Sequence, residues 1–434
     1  MWLAVLACAG SLTAAAQVPT QHIQSYDGAP LSLDDAVKAA VAQNLDVVAL
    51  RRQLEMLRLR PGQEHSLPPP MLGAQIWQWP VNTLNPWKTN FYMPMITQEL
   101  PGRGKRQLRA ALAEKDVELG ATDVAMRERD VINLVKQAYV DLFIARKAID
   151  IHLASVDLLR QIADMSQAKY AGGGISQQDV LKGIVEISKL HGDLLMLDEE
   201  AQFAAARLNT LMNRPIDAAI GPLDELHERA VATSVDELRA AALASKPEVV
   251  AARQQVEHAE AELAVAKQDY KPDFSVQAGY MLMPNQTDAL MLQGAITWPR
   301  APWSRGKIDL HVQEMAAQIE TAKARQRALE NDVRLAVETA YLRAKTAEQR
   351  ASLLRTTILP QSEQTLDVSR VAYQTDRADV LTILDNQRTV LASRLDYYKS
   401  LGDFQQALAD LERAVGSDIA PAMLTSVPGA EARP

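Results

Sequence analysis

The amino-acid sequence predicts a mainly α-helical, internally duplicated chain with one β-hairpin in each half. Aromatic residues make up only 5% of the 434 residues, while Ala, Leu, Val, Glu, Gln and Arg dominate, and this composition favours helices. The chain also matches itself at a nearly constant offset. Arg-Gly-Lys at 103–105 recurs at 305–307, which is 202 residues later (305 − 103). Two segments with alternating apolar and polar residues around a turn predict the hairpins.

The first residues predict a targeting segment. Residues 1–16 form a short apolar block ending in three alanines, typical of a signal peptide, and residues 17–30 form a polar leader. A buried N-terminal helix is the alternative. The only cysteine, Cys8, follows Val-Leu-Ala inside the block, so it is a candidate for lipidation. If cleavage follows Ala16, the mature protein is exported and has no thiol.

Each half is predicted to run helix, Pro-rich segment, very long helix, turn and helix. Repeat 1 covers 31–212, with a hairpin at about 68–100, a long helix at 103–171 and a helix at 176–212. Repeat 2 covers 234–415, with a hairpin at about 272–300, a long helix at 305–373 and a helix at 378–415. A linker at 213–233 joins them, and 416–434 is expected to be a flexible tail.

The long helices have a coiled-coil period. Apolar residues in both follow alternating steps of three and four, which packs helices side by side with a left-handed twist. Pro360 predicts a kink in the second of them. A soluble helical bundle or a filament rod explains these helices equally well.

The hairpins favour a membrane location. Residues 274–282 and 290–298 each alternate over the length that a tilted membrane strand requires, about ten residues. The alternation directs Leu292 and Ile296 to lipid and Gln293 to a lumen. A soluble β-clip is the alternative. Five tryptophans fall in or beside the hairpins, and indole rings prefer the membrane–water boundary. They are Trp77, Trp79, Trp87, Trp298 and Trp303.

Four strands cannot close a barrel, and open sheet edges are not tolerated in lipid. If the hairpins enter a membrane, several chains must therefore share one barrel.

The order and spacing of these features resemble the TolC-like outer-membrane efflux proteins over residues 31–416. The segments that carry the resemblance are Leu-Ser-Leu-Asp-Asp-Ala at 31–36, Asn-Leu at 44–45, Pro-Gly-Arg-Gly-Lys at 101–105, Ser-Arg-Gly-Lys at 304–307 and the turns at 170–175 and 373–384. The resemblance implies a homotrimer with a twelve-strand β-barrel in the cell outer membrane. It also implies a twelve-helix α-barrel that extends through the periplasm and is fed by an inner-membrane pump through a periplasmic adaptor.

The resemblance further implies that the two helical turns are periplasmic tips that dock the adaptor and carry a gate. The tip residues are Gly172, Gly173, Gly174, Asp376, Arg377 and Asp379. In the family, acidic rings just inside the tips constrict the tunnel, and the matching positions are Thr382, Asp385 and Asp179. Because Thr382 stands where an acid is frequent, one ring is expected to be uncharged. Ordinary solvated turn charges are the alternative.

Six methionines cluster in the hairpins. Soft-metal handling is one interpretation, since thioethers select soft metals and the segment also resembles the heavy-metal branch of the family. Lipid-facing or core methionine is the interpretation that the sequence favours. The six are Met71, Met93, Met95, Met281, Met283 and Met291.

The predicted function is a passive outer-membrane exit duct of a tripartite efflux or type I secretion system. Its expected partners are further copies of the chain, the adaptor, the pump and outer-membrane lipid. A formal net charge of −8 argues against nucleic acid, and seven scattered histidines without ligand spacing argue against an enzyme or a cofactor. The alternative is a periplasmic coiled-coil adaptor or scaffold without a barrel. The transported substrate, whether metal ion or drug, stays open.

Overall fold

The computed structural model describes residues 28–79, 81–82, 85, 88–284, 286–419 and 424–426, which are mostly helical. The N-terminal half contains α1 (Leu33–Gln43), α2 (Leu45–Leu57), α3 (Arg60–His65), β1 (Met71–Trp77), β2 (Phe91–Leu100), α4 (Lys105–Ala171) and α5 (Gln177–Leu211). The C-terminal half contains β3 (Arg229–Val231), α6 (Val235–Ser245), α7 (Pro247–Gln268), β4 (Phe274–Met281), β5 (Ala289–Ile296), α8 (Arg305–Leu353), α9 (Leu359–Gln374), α10 (Val380–Val415) and β6 (Leu424–Ser426). Among these residues, none of the helices combines the length and apolar character of a membrane span.

Side-chain caps explain where several helices begin. Ser32 accepts a hydrogen bond from the backbone of Asp35 at the start of α1, and Asn44 caps α2 in the same way. Ser234 and Glu237 form a capping box before α6. Asp379 caps α10, because its carboxylate accepts a hydrogen bond from the Thr382 backbone N–H.

A π-helical turn, Leu354–Ile358, separates α8 from α9 directly before Pro360. Proline lacks a backbone N–H and its ring clashes with the carbonyl four residues earlier, and the wider turn accommodates both effects. The helix predicted at 305–373 is therefore interrupted at this point.

The two hairpins form one antiparallel four-stranded sheet in the order β1-β2-β4-β5. The pairing of β2 with β4 joins the two halves of the chain, with Met95 opposite Gly279. Strands β1 and β5 are the edges of the sheet, and no described strand of the chain pairs with their outer sides.

The long helix α4 is the centre of the helical body, where it packs against α5, α7 and α10. Its buried Tyr139 hydroxyl donates to the Leu31 carbonyl and accepts from the Asp224 N–H, both at 2.9 Å. This side chain ties the first segment and the linker to α4. Nearer the tips, Ile162, Leu190 and Ile383 belong to a second buried cluster that joins α4, α5 and α10.

Candidate channel sites

One face of the four-stranded sheet is apolar and exposed to the surroundings. The pairing register places Leu72, Ile96, Leu292 and Ile296 on this face, and Leu292 is 79% exposed. Contiguous exposed apolar surface of this kind marks an interaction site. Strands that are apolar on one face and polar on the other are typical of a membrane β-barrel with lipid outside.

The opposite face of the sheet carries polar side chains together with methionines. Thr97, Gln277 and Gln293 share one transverse row of this face. The hairpin methionines that share the face are Met71, Met93, Met95, Met281 and Met291. The sequence favoured lipid-facing or core methionine. Because these methionines lie on the other face of the sheet from the exposed Leu and Ile side chains, the register does not agree with the lipid-facing part of that interpretation.

The tryptophans lie at the two ends of the sheet. Trp77 stacks on Phe91 with a centroid distance of 6.1 Å at the end beside the first hairpin turn, and Trp79 is exposed just beyond it. Trp298 and Trp303 form an edge-to-face pair with a 5.9 Å centroid distance between β5 and α8, and both are exposed. This two-ended arrangement suits two membrane–water boundaries. Trp87 lies outside the described residues.

Asp273 joins the sheet to the helices. Its carboxylate accepts hydrogen bonds from the Gly102 N–H at 2.7 Å and from the Lys105 ammonium at 2.8 Å, and its own N–H donates to the Thr297 hydroxyl at 2.8 Å. A Cβ at Gly102 would lie 2.5 Å from the Pro272 carbonyl, so the close approach requires glycine. These contacts fix the bend between strand and helix.

The two helical tips of one chain are bonded to each other. Lys169, on the last turn of α4, contacts Asp376 at 2.5 Å, donates to the Tyr373 carbonyl and lies 4.2 Å from the Tyr373 ring centroid. The Ser166 and Tyr373 hydroxyls are 2.9 Å apart in a buried contact. The α4–α5 turn and the α9–α10 turn are therefore held side by side.

The predicted docking residues lie in these two exposed turns. Gly173 (φ 76°) and Asp376 (φ 59°) occupy the left-handed region, and the Arg377 N–H donates to the Ala372 carbonyl to close the second turn. Gly172 and Gly174 flank the first of these residues, and Asp379 begins α10.

The predicted gate residues lie on the first turns of α10 and α5. Thr382 and Asp385 are exposed on α10, and the Thr382 N–H and hydroxyl both donate to Asp379, at 2.8 and 2.6 Å. These two bonds hold the pKa of Asp379 below its ordinary value. Asp179 accepts from the Ser176 hydroxyl at 2.8 Å, 3.7 Å from the Lys182 ammonium.

A bidentate ion pair accompanies the gate residues. Arg388, one turn after Asp385, donates to Glu186 of α5 at 2.8 and 2.5 Å. These bonds lower the pKa of Glu186, whose side chain is only 12% exposed. Thr382, Asp385, Glu186 and Arg388 line one groove, and Asp179 is not among its lining residues.

Known proteins are similar to this chain in sequence and in fold. Residues 238–417 match the family model described as outer membrane efflux protein. The chain is 25% identical over 392 residues to the cobalt-zinc-cadmium resistance protein CzcC of Cupriavidus metallidurans, and the match covers 89% of this chain and 90% of that protein.

Solved structures of outer-membrane channels share the fold. The structure of CusC has a TM-score of 0.75 at 13% identity and covers 89% of this chain and 92% of that chain. VceC from Vibrio cholerae has a TM-score of 0.72 at 16% identity and covers 89% of this chain and 96% of that chain. The predicted resemblance and the outer-membrane location are confirmed.

Sequence reasoning missed three residues near the helical tips: Lys169, Glu186 and Arg388. Their charges are unremarkable in helices where charged residues are frequent, and only the packing of α4 and α5 against α9 and α10 brings the partners together. The internal match gives no signal for this pair, because its offset near the tips is 203 (384 − 181) and would align Glu186 with Thr389.

The described part of the chain contains no group of three or more His, Cys, Asp or Glu side chains that could hold a metal ion. The domain assignment and the relatives are those of efflux channels. Cys8, the candidate for lipidation, lies outside the described residues.

Proposed function

We propose that the chain is the passive outer-membrane exit duct of a tripartite efflux system. One observation carries this proposal. A four-stranded sheet with an exposed apolar face is joined to long helical hairpins through closely packed bends between strand and helix, such as the one at Gly102 and Asp273. The sheet supplies a surface for lipid, and the hairpins supply the walls of a periplasmic tunnel. A duct of this kind has no energy source, so an inner-membrane pump must drive export and a periplasmic adaptor must join the two.

The working assembly in this proposal is a homotrimer. Each sheet has two open edges, β1 and β5, and three chains of four strands supply twelve strands when β5 of one copy pairs with β1 of the next. This contact is head-to-tail and closes into a ring. Two helix faces also carry exposed apolar side chains that neighbouring copies would bury. They are Leu181, Leu195 and Phe203 on α5, and Leu335, Leu342, Val368 and Val371 on α8 and α9.

The helical tips form the gate and the adaptor-docking end in this proposal. Three copies of Asp385 around a narrow tunnel would repel one another and attract cations. The neighbouring Glu186–Arg388 pair is neutral overall, so each copy of the chain still contributes the net negative charge of its Asp385 to the ring.

The substrate class that we propose is metal ions. CzcC, a relative whose match covers 89% of the chain, is named for cobalt, zinc and cadmium resistance.

Fractionation and bilayer recording test the duct directly. The proposal expects the protein to stay in the outer-membrane fraction after a carbonate wash and to open channels when the purified protein is added to planar bilayers. A scaffold with neither a barrel nor a lipid anchor would be released by carbonate and would open none. Either of those results would overturn the duct.

A further inference from the structure

Four methionines surround one glycine on the polar face of the sheet. Gly279 in β4 lies opposite Met95 of β2 on one side and opposite Met291 of β5 on the other. Met281 follows two residues later on β4, and the bridge between Tyr92 and Leu282 places Met93 opposite Met281. Side chains opposite each other on neighbouring strands have Cβ atoms about 4.5–5.5 Å apart, and diagonal neighbours are still within reach of long side chains. Met93, Met95, Met281 and Met291 are called the thioether cluster below.

The glycines leave room for the thioethers. A Cβ built on Gly279 would lie 2.9 Å from Cγ and 3.0 Å from Sδ of Met93, so that side chain lies over the glycine backbone. Gly73 receives Met95 in a similar way, with Sδ 3.8 Å from the corresponding position. The Met95 sulfur also accepts a hydrogen bond from the Gln277 amide. The Met93 and Met95 sulfur atoms therefore lie against the sheet surface.

The position of the cluster separates it from ordinary core methionine. Met93 is buried, but Met95, Met281 and Met291 are only partly buried, because no second layer of described residues covers this face. Under the proposed function, the apolar face meets lipid and this face lines the lumen, so exported material passes over the thioethers. The inference rests on the proposed function for this last step only.

The chemistry of the cluster selects the ligand. Thioethers are neutral and polarisable, and they favour soft ions such as Cu(I), whereas carboxylates and water suit hard cations. The side chains in the neighbouring row, Thr97, Gln277 and Gln293, are uncharged. A soft monovalent ion can exchange its hydration water for these sulfur ligands, while Zn(II) and Co(II) gain little binding free energy from them. Neutral ligands also permit release, as an exit duct requires.

We propose that the thioether cluster binds soft monovalent metal ions, Cu(I) or Ag(I), on the lumenal wall of the barrel. The trimer would present three such sites, one per chain. Ions delivered through the tunnel would meet them as the last protein ligands before the exterior.

Binding of Ag(I) to the full-length, detergent-purified protein tests the site. In chloride-free buffer, the wild type is expected to retain about one Ag(I) per chain after desalting, measured by mass spectrometry of the metal, and to compete with bicinchoninate for Cu(I). Replacing the whole cluster by leucine should weaken binding at least tenfold, since Leu keeps the volume and removes the sulfur. The test variant combines Met93→Leu, Met95→Leu, Met281→Leu and Met291→Leu.

A matched control replaces four methionines that lie on helices instead. It combines Met56→Leu, Met126→Leu, Met196→Leu and Met315→Leu. The control should bind Ag(I) as the wild type does. Equal binding by the control and the cluster variant, or no retained Ag(I) in the wild type, would overturn the proposal.

X-ray absorption of the Cu(I)-loaded wild type needs no variant. The expected spectrum has sulfur scatterers, and a first shell of only nitrogen and oxygen would refute the site.

Failure of the metal site and failure of the exit duct give different results. A protein that opens channels in bilayers but retains no Ag(I) is a duct without this site, while one that binds Ag(I) but opens no channel has the site without the duct.

Discussion

The depth of each β5 side chain in the membrane sets the effect of placing a charge there. Leu292 lies midway along β5 and points to the apolar face, opposite Ala278. Ile296 lies on the same face but is the last residue of the strand. Gln293 is the neighbour of Leu292 on the polar face. We therefore compare Leu292→Arg, Ile296→Arg and Gln293→Arg. Together they distinguish the effect of the face on which a side chain lies from the effect of its depth in the membrane.

The magnitudes follow from the strand geometry. The four residue steps from Leu292 to Ile296 span about 14 Å along the strand, which is about 10 Å along the membrane normal at a tilt of about 45°. The apolar band is about 25 Å tall, so its edge lies about 12 Å from the midplane. Leu292→Arg should cost about 2–4 kcal/mol, whereas Ile296→Arg should cost about 0–1 kcal/mol. Gln293→Arg should cost less than Leu292→Arg, because its side chain reaches the lumen.

The assay is refolding of the three variants into lipid vesicles, with urea unfolding followed by tryptophan fluorescence. Assembly in the outer membrane, scored by fractionation, supplies a second readout. A cost for Gln293→Arg that equals the cost for Leu292→Arg would refute the assignment of the faces. A larger cost at Ile296 than at Leu292 would refute the assignment of the depth.

Four further predictions concern the assembly and the helices. The detergent-extracted protein should have a mass near three times the 47.7 kDa chain, less the signal peptide, and a stable monomer with intact β content would contradict the shared barrel. Asp385→Ala should reduce the cation preference of the channel and its block by multivalent cations in planar bilayers, and an unchanged channel would end the gate assignment. Because its hydrogen bonds with Arg388 lower the folded-state pKa of Glu186, this pair stabilises the tips above the ordinary pKa of a glutamate, about 4.3, and loses the effect as the pH falls through the lowered folded-state pKa. Acid should therefore raise the open-channel conductance in the wild type but not in Arg388→Gln. Tyr139→Phe removes the hydroxyl that hydrogen-bonds to both Leu31 and Asp224, so it should lower the unfolding free energy by about 1–3 kcal/mol. Chemical denaturation measures this change, and a cost near zero would mean that water replaces the hydroxyl.

The sequence by itself determined the elements of the fold. The coiled-coil period, the alternation at 274–298 and the prolines and glycines at the junctions are local signals, and local signals suffice for helices, strands and turns. They predicted alternating strands over 274–282 and 290–298, where the structure has β4 (Phe274–Met281) and β5 (Ala289–Ile296), and a helix over 305–373, which the structure interrupts between α8 and α9. The efflux-protein resemblance depended on the order of these signals along the chain.

Only the tertiary structure decided which side chains meet. The pairing of β2 with β4 placed Met95 beside Gly279, 184 residues later (279 − 95), and so brought the thioether cluster to one face. The same is true of Lys169 with Asp376 and of Glu186 with Arg388. The period of a strand or helix predicts that a residue shares a face with its near neighbours. It contains no information about the register between elements that are distant in sequence, because that register is set by packing across the whole chain.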